Sequence, residues 1–122
     1  NDQIGAPTGA ELLADVTAQC LRSVVERPEL SGLYHLTASG ETSWHGYASF
    51  VIEHVRKLGV QLKVAPGSIK PVPSTAYPTP AVRPLNSRLD TTRLCKTFNL
   101  VMPHWQRGVE RMLDEVVGSK NY

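Results

Sequence analysis

Six of the nine prolines in this 122-residue chain fall between residues 65 and 88, at Pro66, Pro71, Pro73, Pro78, Pro80 and Pro84. Each ring fixes its own φ, removes an amide donor and turns the preceding residue away from the helical region. The whole stretch is therefore closed to helix and to any central strand. A run this long without secondary structure, inside a compact domain, is a functional loop or a linker. Tyr77, Arg83 and Arg88 lie in it and favour a binding surface over a spacer.

Regular structure must then come from the flanks, which carry four helical patterns. Thr8-Gly9-Ala10-Glu11 predicts a capping box, with the Thr8 hydroxyl on the Glu11 amide and the Glu11 carboxylate on the Thr8 amide. Leu13, Val16, Cys20 and Val24 follow at helical spacing, widened by Leu12, Leu21 and Val25. Asp15, Gln19, Arg22 and Glu26 make the wet side, and Pro28 ends the helix near Arg27. Ser43 is placed to cap a second helix with Trp44, Tyr47, Val51, Val55 and Leu58 on one face, closed by Gly59 in the left-handed region. Asp90 caps a short helix carrying Leu94, Cys95 and Phe98. Pro103 opens a last one with Trp105, Val109, Met112, Leu113 and Val116 along one side. Gly108 inside it costs about 1 kcal/mol relative to Ala, which points to close packing there or to simple tolerance.

Strands are scarce. Residues 32–37, Gly-Leu-Tyr-His-Leu-Thr, read as one, and Val60-Gln61-Leu62-Lys63-Val64 is a weaker second candidate. Two strands among four helices make a thin sheet, and a lone strand is not stable unpaired. Part of the fold is expected to lie outside this chain. The opening on Asn1 in place of Met leads to the same expectation of a piece of a longer protein.

Composition narrows the function. With 41% hydrophobic and 20% charged residues the chain can bury a core. Its net charge of +2 is spread among interspersed acids and bases, with no basic run or aromatic-basic array to suggest nucleic acid. No apolar run is long enough to span a bilayer and no signal peptide opens the chain, so a cytoplasmic protein with no membrane partner is expected. Cys20 and Cys95 have no metal-type spacing and read as reduced, half-buried thiols. The histidines are scattered: His35 reads as a packed strand residue, and His45, His54 and His104 as helix surface. No nucleophile motif or phosphate-cradling Gly loop occurs. Arg83 and Arg88 remain, either as phosphate contacts or as solvated surface arginines.

Taken in order, several short motifs make a more specific pattern. They are Asn1-Asp2-Gln3-Ile4-Gly5-Ala6-Pro7-Thr8, Gly32-Leu33-Tyr34-His35-Leu36, Thr42-Ser43-Trp44-His45, Ala76-Tyr77-Pro78-Thr79-Pro80, Arg83-Pro84-Leu85-Asn86-Ser87-Arg88-Leu89 and Trp105-Gln106-Arg107-Gly108-Val109. In this order and spacing the chain resembles the C-terminal part of the dTDP-4-dehydrorhamnose reductases, within the extended short-chain dehydrogenases. The resemblance implies an α/β fold whose substrate-binding part, residues 1–122, is mostly helical with few short strands. One strand, 32–37, would join the edge of the dinucleotide-binding sheet of a preceding N-terminal domain, which would be this chain's first partner. It implies an enzyme that reduces dTDP-4-dehydro-L-rhamnose to dTDP-L-rhamnose with NADPH or NADH, the cofactor being held mainly by that N-terminal domain.

In such enzymes a Tyr-x-x-x-Lys pair supplies the proton, but Tyr34, Tyr47 and Tyr77 each lack a Lys four residues on. No catalytic residue is thus expected here, and the chain alone should be inactive. The resemblance makes Arg83 a diphosphate contact, with Asn86, Ser87 and Gln3 beside the substrate. Glu11 and Glu115 fall where some members hold Mg²⁺ at a homodimer interface. The alternatives left open are a non-catalytic α+β binding module with a Pro-rich loop, and part of a related sugar-nucleotide epimerase or reductase.

Overall fold

The computed structural model describes residues 1–76, 80–81 and 83–118; the expectation for Tyr77 lies outside them. In chain order the elements are β1 (Ile4–Gly5), α1 (Ala10–Glu26), a 3₁₀ turn (Pro28–Leu30), β2 (Thr42–Ser43) and α2 (Trp44–Lys57). A second 3₁₀ turn (Ser74–Ala76), α3 (Thr92–Phe98) and α4 (Trp105–Gly118) complete them. The fold is mostly helical, as the motif pattern implied. Among the described residues, no helix is long and apolar enough to cross a membrane.

Two apolar clusters hold the helices. The first joins Val16 of α1 to Leu94 and Phe98 of α3 and to Met102, with Cys20, Tyr34 and Leu36 packed against them. The second joins Trp105, Val109 and Leu113 of α4 to Tyr47, Phe50, Val51 and Val55 of α2, around Ala38. Leu12 of α1 touches both. Trp105 meets Phe50 edge-on at 5.0 Å, a geometry worth about 0.5–1.5 kcal/mol beyond area burial. Cys20 and Cys95 are both free and half-buried in the first cluster, and burial raises the Cys20 thiol pKa.

Helix ends follow local chemistry in most places. The Ser43 hydroxyl accepts the Gly46 amide at 3.0 Å and starts α2. At its other end Gly59 sits at φ 82° and donates to the Arg56 carbonyl, while Val60 donates to Val55. This pair of bonds is a Schellman closure. Asp90 accepts the Thr92 amide at 2.8 Å ahead of α3, and these bonds lower its carboxyl pKa.

Several expectations are corrected. The capping box does not form: α1 starts at Ala10 with Gly9 at its N-cap. The Thr8 hydroxyl is committed elsewhere, donating to the Ala6 carbonyl and accepting the Ala38 amide. Residues 32–37 and 60–64 belong to no strand. The first segment is extended, with Tyr34 and Leu36 turned to the core and Leu33 and His35 exposed. Among the described residues its backbone meets no ladder partner, and without one the side-chain alternation cannot make a strand. His35 is thus a surface residue and not the packed one expected. His54 departs the other way: it stacks on Phe50 and bonds Asp114 of α4 at 2.9 Å.

Candidate functional site

The ladder that does form is small and made of remote pieces. β1 pairs antiparallel with β2, Ile4 opposite Ser43 and Gly5 opposite Thr42. On its other side Ile4 makes a parallel bridge to Asn86, donating to the Leu85 carbonyl and accepting the Ser87 amide, both at 2.8 Å. The N-terminal motif, the start of α2 and the Arg83–Leu89 motif are thereby stitched to one residue's backbone.

A second stitch ties in the Pro-rich stretch. The Asp2 carboxylate accepts the Ser74 amide at 3.0 Å and the Ser74 hydroxyl at 2.7 Å, and these bonds lower its pKa. Gln3 Nε2 donates to the same hydroxyl at 3.0 Å. His45 bonds the Ile69 carbonyl, and the N-terminal amine bonds that of Val72.

Two adjoining open clefts result, of 610 and 700 Å³. Gln3, Trp44 and Arg83 line both. The first is otherwise mostly apolar, with Ile4, Pro7, Tyr47 and Pro84, and Ser87 at its wall. The second adds Lys70 and His45. Among the described residues the Arg83 guanidinium has no hydrogen-bond or carboxylate partner. Arg88 differs: it donates to Glu41 at 2.6 Å and to the Asn86 side-chain oxygen at 2.9 Å. Asn86 lines neither cleft.

Of the four candidate residues, Arg83, Gln3 and Ser87 are thus brought together, and Asn86 is placed behind them, holding Arg88. The sequence reading missed Trp44 and Lys70 as cleft residues. Trp44 was placed on the buried face of α2 but is 64% exposed, standing at right angles to the Tyr47 ring.

Glu11 and Glu115 do converge, but on Arg111, at 2.9 and 3.2 Å. Bonding to Glu115 and the charge of Glu11 raise the arginine's pKa. Among the described residues no set of three or more His, Cys, Asp or Glu could hold a metal ion.

A cleft lined by an arginine that has no partner among the described residues, built on a mostly helical layer with a two-stranded sheet, is suited to binding an anionic ligand. The chain belongs to the RmlD substrate-binding domain family, whose model matches residues 1–117. It is 57% identical over 116 residues to a dTDP-4-dehydrorhamnose reductase of Escherichia coli, covering 95% of this chain and 38% of that protein. The reductase of Burkholderia thailandensis is 39% identical over 112 residues, covering 88% of this chain and 38% of its own length. Among solved structures, a dTDP-4-dehydrorhamnose reductase from Clostridium acetobutylicum superposes with a TM-score of 0.72 at 26% identity, over 95% of this chain and 37% of that one. One from Bacillus anthracis, in complex with NADP, does so with a TM-score of 0.67 at 28% identity, over 93% and 36%. The chain therefore spans little more than a third of these relatives, a C-terminal part of them.

Proposed function

We propose that this chain is the nucleotide-sugar-binding wall of a longer reductase that converts dTDP-4-dehydro-L-rhamnose to dTDP-L-rhamnose with NADPH or NADH. One observation carries this most: Arg83, free of partners among the described residues, lines both clefts beside Gln3. A planar guanidinium can meet a diphosphate with two parallel bonds, and the Ile4 ladder fixes the loop that presents it. The relatives supply the sugar and the reaction; their shared name favours this reading over a bare binding module or a related epimerase.

Reducing the 4-keto group needs a hydride at carbon and a proton at oxygen. The nicotinamide supplies the hydride when bound, but the described residues do not form its cradle. Both strands are two residues long, and neither enters a helix through a Gly-rich turn. The role of this chain is to bind and orient the nucleotide sugar, with cofactor and proton donor held by an N-terminal domain of the longer protein. That domain's cytoplasmic setting belongs to the same proposal. In this arrangement Arg111 holds one oxygen of each of Glu11 and Glu115 and leaves the cluster with one net negative charge, so a Mg²⁺-bridged homodimer would have to displace or share that guanidinium.

The test is kinetic, in the full-length protein carrying this segment. Arg83→Ala is expected to weaken nucleotide-sugar binding by about 1.5–3 kcal/mol, the range for bonds to a charged group. Arg83→Lys should recover only part of that, because the fork is lost. Unchanged KM and kcat in Arg83→Ala would remove Arg83 from the site.

A further inference from the structure

Trp44 is the feature the proposed function leaves unexplained. It is the first residue of α2, at a position whose spacing puts it with Tyr47, Val51 and Val55, yet those three pack inward and Trp44 is 64% exposed. Leaving an indole in water forfeits burial energy that a core position would have supplied. Its position is nevertheless tightly set. The preceding residue, Ser43, is paired to Ile4 and caps the helix through Gly46. The edge-to-face contact with Tyr47 at 6.3 Å holds the ring without covering it. The indole lines both clefts, as Arg83 does, and Lys70 lines the second with them.

An exposed aromatic surface that lines both clefts, flanked by an arginine with no partner among the described residues and by a lysine, is complementary to a planar ring joined to an anion. We infer that Trp44 is the stacking platform for the base of a nucleoside diphosphate, with Arg83 taking the phosphates beside it. This rests on the nucleotide-sugar reading above and adds the residue that recognises the nucleoside half. Stacking discriminates poorly among bases, because every base has a π-face. Trp44 should therefore set affinity for the nucleoside, while the choice of base falls to polar groups around it.

The experiment uses the full-length protein and compares wild type with Trp44→Phe and Trp44→Ala. Tryptophan emission is followed during titration with dTDP, dTDP-rhamnose and inorganic pyrophosphate, and affinities are measured by calorimetry. The expected result is that dTDP alone quenches a component of emission that Trp44→Phe lacks. Trp44→Ala should weaken dTDP binding by roughly 5- to 100-fold, the equivalent of one base–aromatic stack. Trp44→Phe should restore most of it, and pyrophosphate binding should be the same in all three. If only the sugar-bearing nucleotide quenches, the indole faces the sugar and the inference is overturned. Full dTDP affinity in Trp44→Ala overturns it as well, while leaving the nucleotide-sugar reading intact. Wild type that binds no dTDP-linked ligand overturns both.

Discussion

Arg83 and Arg88 stand five positions apart in one loop, and their surroundings divide their roles. Arg88 holds Glu41 and Asn86, with both ionic partners about half exposed. Such a pair contributes about 0–1 kcal/mol. Arg88→Ala is expected to leave nucleotide binding unchanged and to lower stability within that range, as denaturant titration would show. Residue type and spacing singled out both arginines, and only the motif resemblance set Arg83 apart, because the Glu41 partner that occupies Arg88 lies in a distant segment. Asp2 was passed over for the same reason: its partner, Ser74, is 72 positions away. The Asp2 bonds to Ser74 lower its carboxyl pKa, so the ionised form belongs to the folded state. A group depressed in this way stabilises fully above its unfolded pKa, and that contribution is lost as pH falls through the lower, folded value. Wild type should therefore lose the Asp2–Ser74 clasp only below about pH 4, and nucleotide-sugar affinity with it. Asp2→Asn should weaken the clasp at neutral pH and flatten that acid limb. An identical acid limb in the variant would show that Asp2 has no part in it.

At the scale of elements, what could be read was what local chemistry decides. Four helices lie where periodicity put them; the Ser43 hydroxyl caps the start of α2, Gly59 closes it through its left-handed backbone, and the Pro28 ring follows the end of α1. The misreadings arise where a tertiary contact, made or missing, decides against the local pattern. Thr8 bonds Ala38 and not Glu11. The strands that form are two-residue pieces too short to leave a periodic signature, while the alternating segment 32–37 finds no ladder. Gly108 and Gly40 are resolved only by geometry. A Cβ at Gly108 would meet nothing within 4 Å, so of the two sequence readings tolerance holds and close packing does not. Gly108→Ala is expected to stabilise the chain by up to about 1 kcal/mol, read as a higher midpoint of unfolding. Gly40 is at φ 78°, and a Cβ there would run into the His104 ring next to buried Trp105. Gly40→Ala should destabilise by more than the roughly 1 kcal/mol cost of the left-handed backbone alone. Equal midpoints for the two variants would contradict the contrast.

For the whole molecule, the described residues cover their helices unevenly. α1 buries Val16 on one side but carries a second stripe at i, i+8, i+12, Leu13, Leu21 and Val25, the last two 62% and 75% exposed. Leu33, on the outward side of the unpaired extended segment, is 75% exposed, and Val101 94%. Scattered apolar residues on a surface need no explanation, but a helical stripe together with a bare extended backbone favours association. The relatives being about two and a half times as long, these are the surfaces that the rest of a full-length protein would be expected to cover. The isolated 122-residue chain should therefore self-associate. Sedimentation of wild type across a dilution series is expected to show dimers or larger species that dissociate on dilution. A Leu21→Lys, Val25→Lys pair, which leaves both core clusters untouched, should shift that series toward monomer without lowering the helical content seen by circular dichroism. A wild-type chain that is monomeric at every concentration and melts cooperatively would mean that α1 and residues 32–37 need no cover, and that this part of the fold is autonomous.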